Sequence, residues 1–295
     1  MIGRVALILT CLGGSVVPVT AQGNGHGHAY GQLKSSAPTP SSGGAAQVQP
    51  AVAGGVRNFG SWLDDASIMT PGSGSLTMSF AWFRSPAFHE FDAPIGDGAI
   101  GLTSKVQFGF SVPYYHVNAP GGPVVHGIGD LYLTSKVQLR EPSAQHGGFG
   151  LAVVPIVTML SGEANVARRR VSWGAPVALE LQRDGWRVFG SAGYFSLGSV
   201  FASGALEVSP SSRLTITGTL TESHSTIDDD PAMTLVLRRT RTDVSGGAAW
   251  TMRPGFAFFG NIGRTISEQD ANAASLVLSG GASLSFDAWR VGTRK

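Results

Sequence analysis

From Ser73 to Phe286, apolar and polar residues alternate with a period of two, segment after segment. Successive side chains of a strand point to opposite faces, so this pattern predicts two-faced β-strands rather than helices. In the stretch from Arg213 to Glu222, Leu214, Ile216, Gly218 and Leu220 share one face and Thr215, Thr217, Thr219 and Thr221 share the other. Lys105 to Val112, Asp130 to Arg140 and Ser275 to Phe286 repeat the pattern. Parity predicts twelve strands, at about residues 74–84, 92–101, 105–116, 128–140, 148–159, 171–182, 186–196, 200–208, 213–225, 240–252, 256–266 and 274–286. Pro94, Gly96 and Gly98 weaken the second.

The links sort into two kinds. Short polar turns fall at Leu102 to Ser104, Arg183 to Gly185, Ser209 to Ser212 and Arg253 to Gly255, with a somewhat longer one at Glu141 to Gly147. Most of the others are longer, from Val117 to Gly127, Leu160 to Arg170, Thr226 to Arg239 and Ser267 to Ala273. Consecutive strands therefore run antiparallel, with short turns on one rim and long loops on the other.

Which residues occupy the polar face separates a membrane barrel from a soluble sandwich. A water-facing sheet carries Lys, Glu, Asp and Arg at ordinary density, whereas here that face is mainly Ser, Thr, Gly and Ala, as a narrow lumen requires. Lipid offers no partner for backbone amides, so such strands must close into a cylinder without free edges. The expected fold is all-β, a transmembrane antiparallel up-and-down β-barrel of about twelve strands.

Composition agrees with this picture. Only 14% of residues are charged while 42% are hydrophobic, and Gly numbers 41 among 295 residues. The formal charge of +2 argues against a nucleic-acid partner. Residues 1–21 read as a cleaved signal peptide, with Arg4 ahead of the mostly apolar run from Val5 to Val17 and a small-residue site at Val19 to Ala21. Its removal takes away Cys11, the single cysteine. Residues 22–72 are expected to form a disordered or extended periplasmic leader, because Gly, Ser, Pro, Ala and Gln dominate to about Val56 and bury too little to offset ordering entropy. The barrel is assigned to 73–286 and a C-terminal tail to 287–295. His26 and His28 lie in the leader, and a flexible polar tract explains them without a metal. No cofactor and no metal site is expected.

Parity also places candidate functional residues. Lys105, Asp130, Lys136, Arg140, Glu180, Arg187, Glu207 and Asp243 are expected to face the lumen, four charges of each sign, which predicts weak charge selectivity or pairing across the interior. Trp82, Tyr114, Trp173 and Tyr194 near the long-loop rim, and Trp186, Trp250, Phe256 and Phe286 near the short-turn rim, are expected to form two aromatic girdles. Arg168, Arg169 and Arg170, with Arg238, Arg239 and Arg241, border long loops and suit the phosphates of lipopolysaccharide, although an ordinary solvated loop explains them equally well.

Ser67 to Gly74 ahead of the first strand, Gly101 to Lys105 followed by Phe110 to Tyr114, and Gly127 to Leu133 with Lys136 together resemble the outer-membrane β-barrel proteins grouped as the phenol-degradation meta-pathway transporter-like family. The stretch from Gly281 to Phe286 is similar to the signal read by the barrel-assembly machinery, although nine residues follow it. The resemblance implies a bacterial outer-membrane location and passive passage of small solutes, hydrophobic or aromatic ones among them. It fixes no substrate.

Three other readings remain at this level. A non-conducting structural or adhesive barrel fits the mixed lumen charge. A hydrolase of the outer membrane is suggested only by His224 and Ser225, whose adjacency in a strand sends them to opposite faces, and no Gly-x-Ser-x-Gly elbow occurs. A secreted soluble sandwich would require Leu214, Ile216 and Leu220 to pack beneath a second layer.

Overall fold

The computed structural model describes residues 62–86, 88–118, 124–142, 148–159, 171–196, 198–226, 239–269 and 273–288. They form fifteen strand segments: β1 (Ser73–Arg84), β2 (His89–Gly101), β3 (Val106–Asn118), β4 (Val125–Ile128), β5 (Leu131–Arg140), β6 (Phe149–Val153), β7 (Ile156–Met159), β8 (Val171–Gly174), β9 (Val177–Arg183), β10 (Trp186–Phe195), β11 (Ser199–Val208), β12 (Leu214–Ser225), β13 (Thr240–Arg253), β14 (Phe256–Thr265) and β15 (Leu276–Asp287). Three strands are each interrupted once, as β4 and β5, β6 and β7, and β8 and β9, so the fold is a closed antiparallel barrel of twelve strands.

Closure occurs where β1 pairs with β15, in register from Ser73 opposite Asp287 to Arg84 opposite Leu276. At this seam Gly74 lies opposite Phe286, and a Cβ on Gly74 would come within 2.8 Å of the Phe286 ring. The glycine makes room for an aromatic that covers the ladder. On the short-turn rim, Gly185 and Gly255 take φ of 79°, which the two-residue links at Asp184 and Pro254 need.

Two interruptions fall at Pro155 and Pro176, each of which lacks the amide hydrogen a central ladder uses. Pairing is re-established around them: Val154 donates to the Pro176 carbonyl at 2.9 Å and Ser135 to the Pro155 carbonyl at 3.0 Å. The third break lies at Gly129 and Asp130, where Gly129 donates to the Pro113 carbonyl at 2.8 Å. The second strand starts at His89, earlier than parity predicts, because a register shift between Asp92 and Ile95 absorbs Ala93 and Pro94 and keeps it in the ladder.

Leu76, Met78, Phe108, Leu179, Leu206, Ile216, Leu220 and Ile262 are all exposed on the outside of the barrel, and Leu214 is half-buried. No second layer covers the outer face among the described residues. The packed core lies inside the cylinder instead.

Candidate functional site: the barrel lumen

Residues 62–72, the end of the predicted leader, run inside the barrel without regular secondary structure, and Trp62 through Met69 are all buried. The chain leaves the lumen through a turn in which Ser73 donates to the Thr70 carbonyl at 3.0 Å and Gly72 donates to the Gly101 carbonyl at 2.8 Å. Gly101 permits this exit, since a Cβ there would strike the backbone of Met69 and Thr70.

The segment is held by charge and by apolar packing together. Lys136 on β5 places its Nζ 2.6 Å from Asp64 Oδ1 and 3.0 Å from Asp65 Oδ1, and it donates to the Ser67 carbonyl at 3.1 Å. Arg187 on β10 reaches Asp65 at 2.9 Å and Glu180 of β9 at 3.4 Å through Nη1, and it grips Glu207 of β11 through Nε and Nη2 at 2.6 and 3.1 Å. Its guanidinium also lies 4.7 Å from the centroid of the Phe189 ring. Ser67 donates to Glu180 at 2.6 Å, Gln138 donates to the Ala66 carbonyl at 2.9 Å, and the Met69 amide donates to Gln107 at 2.8 Å. Ser191 hydrogen-bonds the Trp62 carbonyl and accepts from the Asp64 amide.

Around these polar contacts, Trp62 and Ala66 join Tyr132, Ala152, Val154, Ile156, Ala178, Phe195 and Phe201 in one apolar cluster, and Leu63 joins Phe189 and Ala205 in another. Buried charges are costly unless paired and hydrogen-bonded, and here both charged groups among the described leader residues, Asp64 and Asp65, have a partner of opposite sign.

Of the eight charged residues expected in the lumen, Asp130, Lys136, Glu180, Arg187, Glu207 and Asp243 are buried inside. Lys136, Glu180, Arg187 and Glu207 converge on the leader, whereas Asp243 lies across the barrel on β13, bound to Arg241 at 2.9 Å and to the Thr265 hydroxyl at 2.5 Å. Lys105 and Arg140 differ from the expectation, both being exposed. Lys105 belongs to the turn between β2 and β3, beyond the wall that imposes parity, and a register shift between Gln138 and Arg140 turns Arg140 out over the Phe149 ring, 5.4 Å from its centroid.

Sequence reasoning missed Asp64 and Asp65, and also the buried Asp92 and Asp97 on β2. The available signal for the first pair was Trp62-Leu63-Asp64-Asp65, a dense apolar and acidic run directly after a low-complexity tract. Arg241, expected outside near phosphate, is buried against Asp243 because its position has inward parity. Arg168 to Arg170, Arg238, His26, His28 and the signal peptide lie outside the described residues.

All eight aromatic residues expected in girdles sit on the outer surface towards strand ends, four of them, Trp173, Trp186, Tyr194 and Trp250, well exposed. Trp173 and Tyr194 meet edge to face at 5.9 Å, and the Tyr114 hydroxyl lies 3.0 Å from His126 Nδ1. His224 is exposed and 2.8 Å from the Thr240 hydroxyl, while Ser225 is buried on the opposite face, so the two do not form a nucleophile and base pair.

No protein-family model matches the sequence, and no curated protein matches it. Among solved structures, the chain is similar to an outer membrane channel from Pseudomonas putida F1, with a TM-score of 0.61 at 14% identity over 75% of this chain and 98% of that one. It is also similar to the NanC porin, with a TM-score of 0.51 at 10% identity over 71% of this chain and 98% of that one. These likenesses concern the fold.

Proposed function

We propose that the chain is a bacterial outer-membrane channel for small solutes whose lumen is narrowed by its own leader. The observation that carries this reading is the closed barrel with an apolar exterior and a polar interior that holds residues 62–69 mainly against β5 and β9 to β11, with Met69 reaching β3 and β1 near the exit turn. The fold shared with solved channels supports it. Small solutes, hydrophobic or aromatic ones among them, are the class implied by the resemblance that Ser67 to Gly74, Gly101 to Lys105, Phe110 to Tyr114 and Gly127 to Leu133 with Lys136 carry together. The outer aromatics serve as girdles at the two headgroup levels, with lipid and lipopolysaccharide as surroundings, export by the signal peptide and insertion by the barrel-assembly machinery.

Planar-bilayer recording tests the reading. Purified protein gives small steady steps, and Lys136→Met, which leaves Asp64 and Asp65 without their shared cation, enlarges those steps several-fold. Closed traces from both proteins at all voltages would favour a structural barrel instead, a role to which the fully paired charges around the leader are also suited.

A further inference from the structure

The leader fills the lumen unevenly. Inward residues of β5 to β11 are nearly all buried, many of them against the leader. On the opposite wall Thr215, Thr217, Thr265 and Ser283 are buried as well, but Ser79 on β1, Thr219 on β12, Ser245 on β13, Phe259 and Asn261 on β14 and Ser279 on β15 remain partly exposed inside the barrel. These residues lie on strands that are direct neighbours, because β12, β13, β14, β15 and β1 pair in that order. Asn261 is opposite Ser279 on one side and Gly247 on the other, so a glycine leaves space beside the amide. Thr219 and Ser245 are also opposed, their hydroxyls in hydrogen-bond contact at 2.5 Å.

This wall has no inward charge at mid-height: its buried ions, Arg241 and Asp243, pair with one another towards the long-loop end. Asn261 Nδ2 and Ser279 Oγ are buried within the wall and have no hydrogen-bond partner among the described residues, so what faces the lumen is the partly exposed remainder of these polar side chains and their neighbours. A hydroxyl both donates and accepts, and so does an amide, so this surface can exchange hydrogen bonds with a neutral solute. It has nothing to offset the desolvation of an ion.

We infer that the wall formed by β12 to β15 and β1 is the solute-binding face of the lumen, and that it takes small uncharged solutes bearing hydroxyl or amide groups in preference to ions of either sign. Phe259 gives such a solute one apolar face to lie against. The inference rests on the channel reading and adds to it the basis of selection.

Proteoliposomes holding the full-length protein test it by uptake of glucose, gluconate and glucosamine, three probes of similar size and different charge. Glucose is expected to enter at least about five-fold faster than either ion. Asn261→Asp should raise glucosamine entry relative to glucose, while Asn261→Ser, which keeps the wall neutral, should leave the ratio unchanged. Equal entry of all three probes, or a ratio insensitive to Asn261→Asp in a protein that keeps heat-modifiable migration, overturns the inference and leaves the channel intact. Entry of none of them, together with closed bilayer traces, overturns the channel reading and this inference with it.

Discussion

The two halves of the barrel wall solve the same problem by different means. From β12 through β15 to β1 the strands are uninterrupted, their ladders run through long registers, and their inner face at mid-height is mainly hydroxyl, glycine and amide with Phe259 among them, the Arg241–Asp243 pair lying towards the long-loop end. From β4 to β9 the strands are broken, two of them at prolines, and their inner face carries Tyr132, Lys136, Gln138 and Glu180 against the leader. The regular half is held by its ladder together with local side-chain contacts: a small cluster of Phe83, Ala274 and Val277, the Arg241–Asp243 pair and hydroxyl contacts between neighbouring strands, with no leader packed behind its mid-height among the described residues. The irregular half gains a core, since Trp62 and Ala66 add apolar contacts and Asp64 and Asp65 pair with Lys136 behind the interrupted strands, while Leu63 and the Asp65–Arg187 pair extend that core onto neighbouring β10 and β11. A barrel can thus tolerate breaks in its wall where something is packed behind them.

The largest effect that separates the halves is expected at Arg187. Arg187→Met leaves Asp65, Glu180 and Glu207 buried without that shared cation, which costs about 3–5 kcal/mol. The loss should appear as a lower temperature for the shift from compact to extended migration in gels. On the outer face the two halves should behave alike: Leu220→Arg on β12 and Leu179→Arg on β9 each put a charge into lipid, at about 2–4 kcal/mol near the bilayer midplane, read by urea unfolding in vesicles. Unequal costs at matched depth would show that the outer faces do not meet the same medium.

Removing all three charges at once sharpens the comparison. The triple variant Lys136→Met, Asp64→Asn, Asp65→Asn leaves Arg187 with Glu180 and Glu207 and should recover most of the stability lost in Lys136→Met, since no carboxylate on the leader is stranded. The smallest effect belongs to the regular half. Thr217→Val deletes a buried hydroxyl that has no partner among the described residues and should change stability by no more than about 0.5 kcal/mol in the same unfolding assay.

Parity made the twelve strands legible because the outward positions are predominantly apolar and the inward ones predominantly polar, with exceptions such as Glu222, His224 and Arg264 falling near the long-loop ends of their strands. The same rule identified Asp130, Lys136, Glu180, Arg187, Glu207 and Asp243 as inward. It failed at Lys105, which sits in a turn, and at Arg140, which follows a register shift, because parity holds only along an unbroken ladder. The leader segment was illegible for a related reason. Residues 62–69 have no regular secondary structure, so no period marks them, and their burial depends on contacts with strands distant in sequence, such as Asp64 with Lys136 and Asp65 with Arg187. A proline's effect on its own strand can be read locally, whereas the packing that compensates for it cannot.

The central claim is that the end of the leader resides inside the barrel, and thiol accessibility tests it most directly. Ser67 is buried and bound to Glu180, and Ser67→Cys is close to isosteric. With Cys11 replaced by Ser, the cysteine at 67 in intact outer membranes should resist a small maleimide and should react once Lys136→Met is added. Labelling as fast as in the unfolded chain without that second change would contradict the account.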